Sequence, residues 1–109
     1  GIRDYIHVMD LAEGHVAALE YLFNTNYDNL QNINLGTGKG TTVLEIIEIF
    51  EKVNKVDIPY LFDERRVGDV AEYIADNSLS KKILNWEPKR SLVEMCKDGW
   101  KWKLNNINL

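Results

Sequence analysis

Three times along this chain a polar residue able to cap a helix is followed three positions later by glutamate: Asp10 and Glu13, Thr42 and Glu45, Ser91 and Glu94. Each pair is the sequence form of a capping box, in which a side-chain oxygen takes a free amide of the first turn and the glutamate reaches back. Helices are therefore expected to begin at these points. Ala12, Val16, Leu19 and Phe23 recur on one face of the first helix, which should end near Asn24, with His15 on its flank as a satisfied, partly buried side chain. Val43, Ile46, Ile47, Phe50 and Val53 form the stripe of the second. Leu92, Met95, Cys96, Gly99 and Trp102 form the buried face of the last. Ser78 caps a shorter helix through Leu84, closed by Trp86-Glu87-Pro88, where proline keeps Glu87 extended.

Between the helices lie short runs of β-forming residues, Tyr5 to Val8, Ile33 to Leu35 and Tyr60 to Phe62. Strands alternating with about four helices predict an α/β fold. At 109 residues the chain is one small domain, residues 1–109, able to bury roughly 65% of its unfolded surface. A net charge of −4 argues against broad nucleic-acid binding, so any anion site must be local. Cys96 is the only cysteine, which excludes a disulfide framework and fits a reducing compartment. No apolar run approaches the ~18 residues of a membrane span. A cytoplasmic chain without membrane or metal partners is the expectation, because His7 and His15 have no third ligand at a suitable spacing. The chain begins inside a motif, as a piece of a longer protein would.

Two glycine-bearing stretches could hold phosphate. Gly36-Thr37-Gly38-Lys39-Gly40-Thr41 fails as a Walker loop, since Ile33 stands where glycine is needed and Gly40 follows Lys39. It fails as a dinucleotide fingerprint too, with Thr41 at the third glycine. A strand-to-helix turn is the better account. Arg65-Arg66-Val67-Gly68-Asp69, with Tyr73 four residues on, is the stronger candidate. A guanidinium matches phosphate oxygens two at a time, and Gly68 turns the backbone where a side chain would block it. Asp69 can accept from a sugar hydroxyl or steady an arginine, and Tyr73 offers a flat face. Taken alone, the same residues also make an ordinary solvated turn.

The order of the motifs resembles the UDP-glucose 4-epimerases, extended short-chain dehydrogenases/reductases, in their C-terminal part. The resemblance runs from Gly1-Ile2-Arg3-Asp4-Tyr5-Ile6-His7-Val8-Met9-Asp10-Leu11-Ala12 through Gly14-His15 and Asn34-Leu35-Gly36-Thr37-Gly38. It continues at Arg65-Arg66-x-Gly68-Asp69, Ala75-Asp76, Leu84-x-Trp86 and Asp98-x-Trp100-x-Trp102. Val67 departs from the glutamate often found there.

The resemblance implies a substrate-binding lobe that packs beside an N-terminal Rossmann NAD domain, itself outside this sequence, in a parent that is a homodimer. It implies UDP-glucose and UDP-galactose as ligands, in galactose metabolism. Arg3 and Arg66 would hold phosphate, Asp69 the ribose, and Tyr73 would stand near the diphosphate. No residue of this chain is assigned to catalysis. Members use a Tyr-x-x-x-Lys pair, and none of Tyr5, Tyr21, Tyr27, Tyr60 or Tyr73 has lysine four residues later. The chain alone is therefore expected to bind no NAD and to be inactive, NAD belonging to the parent. Another nucleotide-sugar epimerase or dehydratase, or a non-catalytic module binding a nucleotide sugar or a protein, are the alternatives.

Overall fold

The computed structural model describes residues 1–24, 30–64 and 66–107. The elements run β1 (Ile2–Arg3), α1 (Val8–Asn24), β2 (Thr41–Thr42), α2 (Val43–Asn54), β3 (Glu72–Tyr73), α3 (Ser78–Leu84) and α4 (Leu92–Asn105). The architecture is α/β, four helices around a small sheet of order β2-β1-β3. β1 pairs antiparallel with β2, Arg3 opposite Thr41, and parallel with β3, Arg3 opposite Tyr73.

Helix starts follow the sequence closely. Thr42 and Ser91 each accept from the amide of a glutamate three residues on, and each glutamate returns the bond, so both capping boxes form. α3 runs to Leu84 as expected, but Ser78 is its first residue and not its cap; Asn77 holds the cap position and makes no side-chain capping bond.

The first helix differs. It starts at Val8, and its cap is His7, whose Nδ1 accepts from the Met9 amide at 3.0 Å while its carbonyl accepts from Leu11. An acceptor at Nδ1 puts the proton on Nε2, which donates to Asp98 at 2.8 Å and ties the start of α1 to α4. Asp10 is thus not a cap but a buried residue inside the helix. Its carboxylate receives the Arg90 amide at 2.9 Å and guanidinium at 2.7 Å, and Glu13 joins the same guanidinium at 2.8 Å.

The strand positions also need correction. The run from Tyr5 to Val8 is consumed by the approach to α1, whereas Ile33 to Leu35 and Tyr60 to Phe62 carry no ladder bonds. Side-chain alternation marks a segment that suits a sheet, but a strand exists only where a neighbour accepts its amides. Tyr60 and Phe62 instead meet each other edge to face at 5.7 Å, with Leu61 and Phe62 almost fully exposed.

The core is thin. Among the described residues only Trp86 and Cys96 are buried apolar side chains. Trp86 donates its indole N–H to the Asp10 carbonyl at 3.2 Å and lies against Gly14, where an added Cβ would stand 3.1 Å from the ring. α2 and α4 pack through Phe50 on Trp100, ring centroids 5.7 Å apart at 82°, and through Asn54, which donates to the Cys96 carbonyl. Ile46, Ile47, Phe50 and Val53 are half-buried as the stripe predicts, while Val43 is exposed. On α4, Leu92 and Met95 are half-buried beside Cys96, but Gly99 and Trp102 face outward.

The α1 stripe reverses the expectation outright: Ala12, Val16, Leu19 and Phe23 are all exposed. His15 is exposed as well, although its Nδ1 bonds the Leu11 carbonyl at 2.8 Å. Helical periodicity identifies an apolar face, not what covers it. The accessible surface of 8777 Å² exceeds the about 6,200 Å² of an ordinary folded monomer of 12.6 kDa. The radius of gyration, 16.8 Å, likewise exceeds the about 13 Å of a compact domain this long.

Candidate functional site

Arg3 of the central strand β1 and Arg66 of the turn before β3 converge on one carboxylate, that of Asp69. The parallel register sets Arg3 of β1 directly beside Tyr73 of β3, so the two side chains leave the same face of the sheet. Upstream of β3 the chain makes a tight turn in which the Asp69 amide donates to the Arg66 carbonyl at 3.1 Å. Gly68, third in that turn, has φ 86°, a conformation glycine adopts without strain. The turn folds Asp69 back onto Arg66, Oδ2 lying 3.1 Å from Nε, and its other oxygen lies 3.9 Å from Nη2 of Arg3.

Arg3, Arg66 and Asp69 are therefore together, and Tyr73 stands next to Arg3. Arg3 also donates from Nη1 to the Ile2 carbonyl at 2.9 Å. Arg3 and Asp69 are about one-third exposed, Arg66 and Tyr73 mostly exposed. The acidic partner of Arg3 is Asp69, and Arg65 lies outside the described residues. The group is an open rim. A cleft of about 670 Å³ lined by Lys39, Asn77, Lys81, Lys89, Arg90 and Ser91, among others, contains none of the four.

The glycine loop has a different occupant. Amides of Thr37 and Gly38 donate to the Asp4 carboxylate at 3.0 and 2.9 Å, and Lys39 donates to the Thr37 hydroxyl at 3.1 Å. A phosphate-binding loop must aim such amides at its ligand. Here they are spent internally, so the loop does not fit the phosphates of NAD.

Shifted acidities lie away from the rim. Burial raises the Asp10 carboxyl, but the amides of Arg90 and Lys89 and the Arg90 guanidinium outweigh it and hold it below its ordinary value. Glu13 and Asp10 together push Arg90 up. The Ser78 hydroxyl and amide hold Asp76 down, and burial pushes the Cys96 thiol up, which disfavours a thiolate nucleophile. Among the described residues no cluster of three or more His, Cys, Asp or Glu could hold a metal ion, and no helix is long and apolar enough to cross a membrane.

Asp4, the Asp10–Arg90–Glu13 group and the His7–Asp98 pair were not legible as interactions, because each joins residues distant in sequence. Only the adjacency of Asp4 to Arg3 in the motif offered a signal.

Comparison with known proteins finds relatives over nearly the whole chain. The chain is 52% identical over 108 residues to the UDP-glucose 4-epimerase of Bacillus subtilis (strain 168), a match covering 99% of this chain and 31% of that protein. It is 50% identical over 105 residues to a UDP-glucose 4-epimerase of Cyamopsis tetragonoloba, covering 96% and 30%. The crystal structure of the Bifidobacterium longum UDP-glucose 4-epimerase in complex with NAD+ and UDP superposes with a TM-score of 0.90 at 41% identity, covering 99% of this chain and 31% of that one. The Stenotrophomonas maltophila enzyme with bound NAD and formylated UDP-arabinopyranose gives 0.89 at 44%, covering 96% and 31%. This chain thus spans under a third of the length of these relatives, as the C-terminal part of such an enzyme would. A family model described as GDP-mannose 4,6 dehydratase matches residues 1–99, and the chain belongs to that family.

Proposed function

We propose that residues 1–109 are the C-terminal, UDP-gripping lobe of a UDP-glucose 4-epimerase, in which Arg3 and Arg66 hold the diphosphate, Asp69 the ribose, and Tyr73 borders the phosphates. The observation that carries this reading is the meeting of Arg3 and Arg66, more than sixty positions apart in the sequence, on the single carboxylate of Asp69. A carboxylate between two guanidiniums occupies the place a phosphate would take.

Exchange of one anion for the other is favourable. An exposed ion pair contributes only about 0–1 kcal/mol. Each charge-assisted bond to phosphate contributes about 1.5–3 kcal/mol, so two give roughly 3–6 kcal/mol before ordering costs. That corresponds to about millimolar affinity for UDP by the lobe alone. A grip on the nucleotide, remote from the sugar carbon that reacts, lets the sugar turn over while the substrate stays bound.

The parent would bind NAD on an N-terminal domain, interconvert UDP-glucose and UDP-galactose in the cytoplasm as part of galactose metabolism, and form a homodimer. NAD would supply hydride acceptance and return there. The exposed apolar stripe of α1 supports a larger parent, since a face of this kind needs a cover.

A chimera tests the reading: the remainder of the Bacillus subtilis relative joined to this chain. Conversion of UDP-galactose to UDP-glucose, with KM raised by Arg3→Ala and Arg66→Ala, is the expected result. A folded chimera that binds NAD yet turns over only another sugar nucleotide would instead favour a sister enzyme. The superposition on the Bacillus cereus UDP-glucuronic acid 4-epimerase, TM-score 0.80 at 26% identity, makes a uronate the first alternative to assay.

A further inference from the structure

The ladder that sets Arg3 beside Tyr73 is made of strands only two residues long, and such short strands hold register weakly. A side chain supplements it. Asp4 follows Arg3 directly; one oxygen accepts the Thr37 amide and hydroxyl, and the other accepts the Gly38 amide at 2.9 Å and the Ala75 amide at 3.3 Å. These donors come from the loop leading into β2 and from the segment just after β3. One carboxylate therefore ties both outer strands to β1. The packing leaves no slack, because a Cβ at Gly36 would stand 2.5 Å from that of Ala75 and 2.8 Å from Oδ2 of Asp4.

The geometry points to Asp4 as the positioning residue of the UDP clamp: it fixes Arg3 against Tyr73 and Asp69, and it fills the glycine loop so that a phosphate is left to the arginines. This rests on the clamp reading given above. Asp4 touches no ligand itself, and it acts through the register of β1.

The test is a set of affinities for UDP, measured on this chain by nuclear magnetic resonance titration. In Asp4→Asn an amide nitrogen must replace one oxygen, so either the Thr37 amide or the Gly38 and Ala75 amides lose their acceptor. The Gly38 and Ala75 or the Thr37 amide resonances should move, and UDP should bind about fivefold more weakly. Combined with Arg3→Ala the change should add nothing further, whereas combined with Arg66→Ala the two losses should multiply. Equal weakening in every background would mark a merely structural residue and overturn the proposal. If Asp4→Asn does not fold, Thr37→Val, which keeps the shape but deletes the hydroxyl that donates to Asp4 and accepts the Lys39 amide, carries the same cycle with an expected loss of about twofold. Unchanged binding in Arg3→Ala and Arg66→Ala would instead overturn the clamp. Normal binding in Asp4→Asn, with both arginine variants weakened, would sink only the role of Asp4.

Discussion

Asp69 reaches back across the Gly68 turn to Arg66, placing Oδ2 3.1 Å from Nε, and keeps its second oxygen toward Arg3 at 3.9 Å. In the proposed clamp the carboxylate would have two tasks: to hold two like charges near each other, and to release them when an anion arrives.

These tasks separate by ligand. Asp69→Asn removes the competing charge, so inorganic pyrophosphate should bind as tightly as to the unaltered chain or tighter. UDP, which also needs an acceptor for its ribose, should bind about two- to fivefold more weakly, the effect of one lost hydrogen bond. Parallel titrations with the two ligands check this, and equal losses for both would refute the division of roles.

Gly68→Ala isolates the turn. Among the described residues nothing lies within 4 Å of the added Cβ, so the change acts through the backbone, at φ 86°. The left-handed region costs a non-glycine residue about 1–2 kcal/mol. The turn is local and exposed, so the loss should appear in UDP affinity and hardly in the denaturation midpoint. A large fall in stability with normal UDP binding would contradict it.

Acid should loosen the contact of Asp10 with Arg90. The folded-state acidity of Asp10 lies below its unfolded value near 3.8, so its contribution is complete above that pH and disappears as pH falls through the folded value. Asp10→Asn should cost about 1–3 kcal/mol at neutral pH by leaving Arg90 short of an acceptor, and should flatten the acid limb of the stability curve. Urea unfolding from pH 7 down to 2.5 measures both; an acid limb unchanged by the substitution would exclude this carboxylate as its source.

The two apolar surfaces should respond oppositely. Trp86 is 7% exposed, and Trp86→Ala should cost about 3–5 kcal/mol, enough to unfold a lobe with so small a core. Phe23 is 84% exposed, and Phe23→Gln should change stability by no more than about 0.5 kcal/mol while reducing self-association seen in sedimentation. A Phe23 variant that unfolds would show that the α1 face is covered in the isolated chain.

What could be read from the sequence divides by range. The boxes at Thr42–Glu45 and Ser91–Glu94 are local chemistry, three residues long, and form as expected. Asp10–Glu13 has the same spelling but fails, because His7 reaches the free amides first and Arg90 claims both carboxylates. The Ile33–Leu35 and Tyr60–Phe62 runs have strand patterning without strand partners. The stripe from Ala12 to Phe23 has core patterning without a core to face. At the rim, the Arg66-x-Gly68-Asp69 turn was visible locally, whereas the approach of Arg3 depends on β1 pairing with β3, which only the motif order suggested.

The most direct check of the clamp is a titration of UDP into the ¹⁵N-labelled chain, following which backbone amides shift. Shifts that saturate at roughly millimolar UDP and concentrate on Arg3, Gly68, Asp69 and Tyr73 are predicted. A response centred elsewhere, such as the cleft beside Lys89, or no response at about ten times that concentration, would contradict the account.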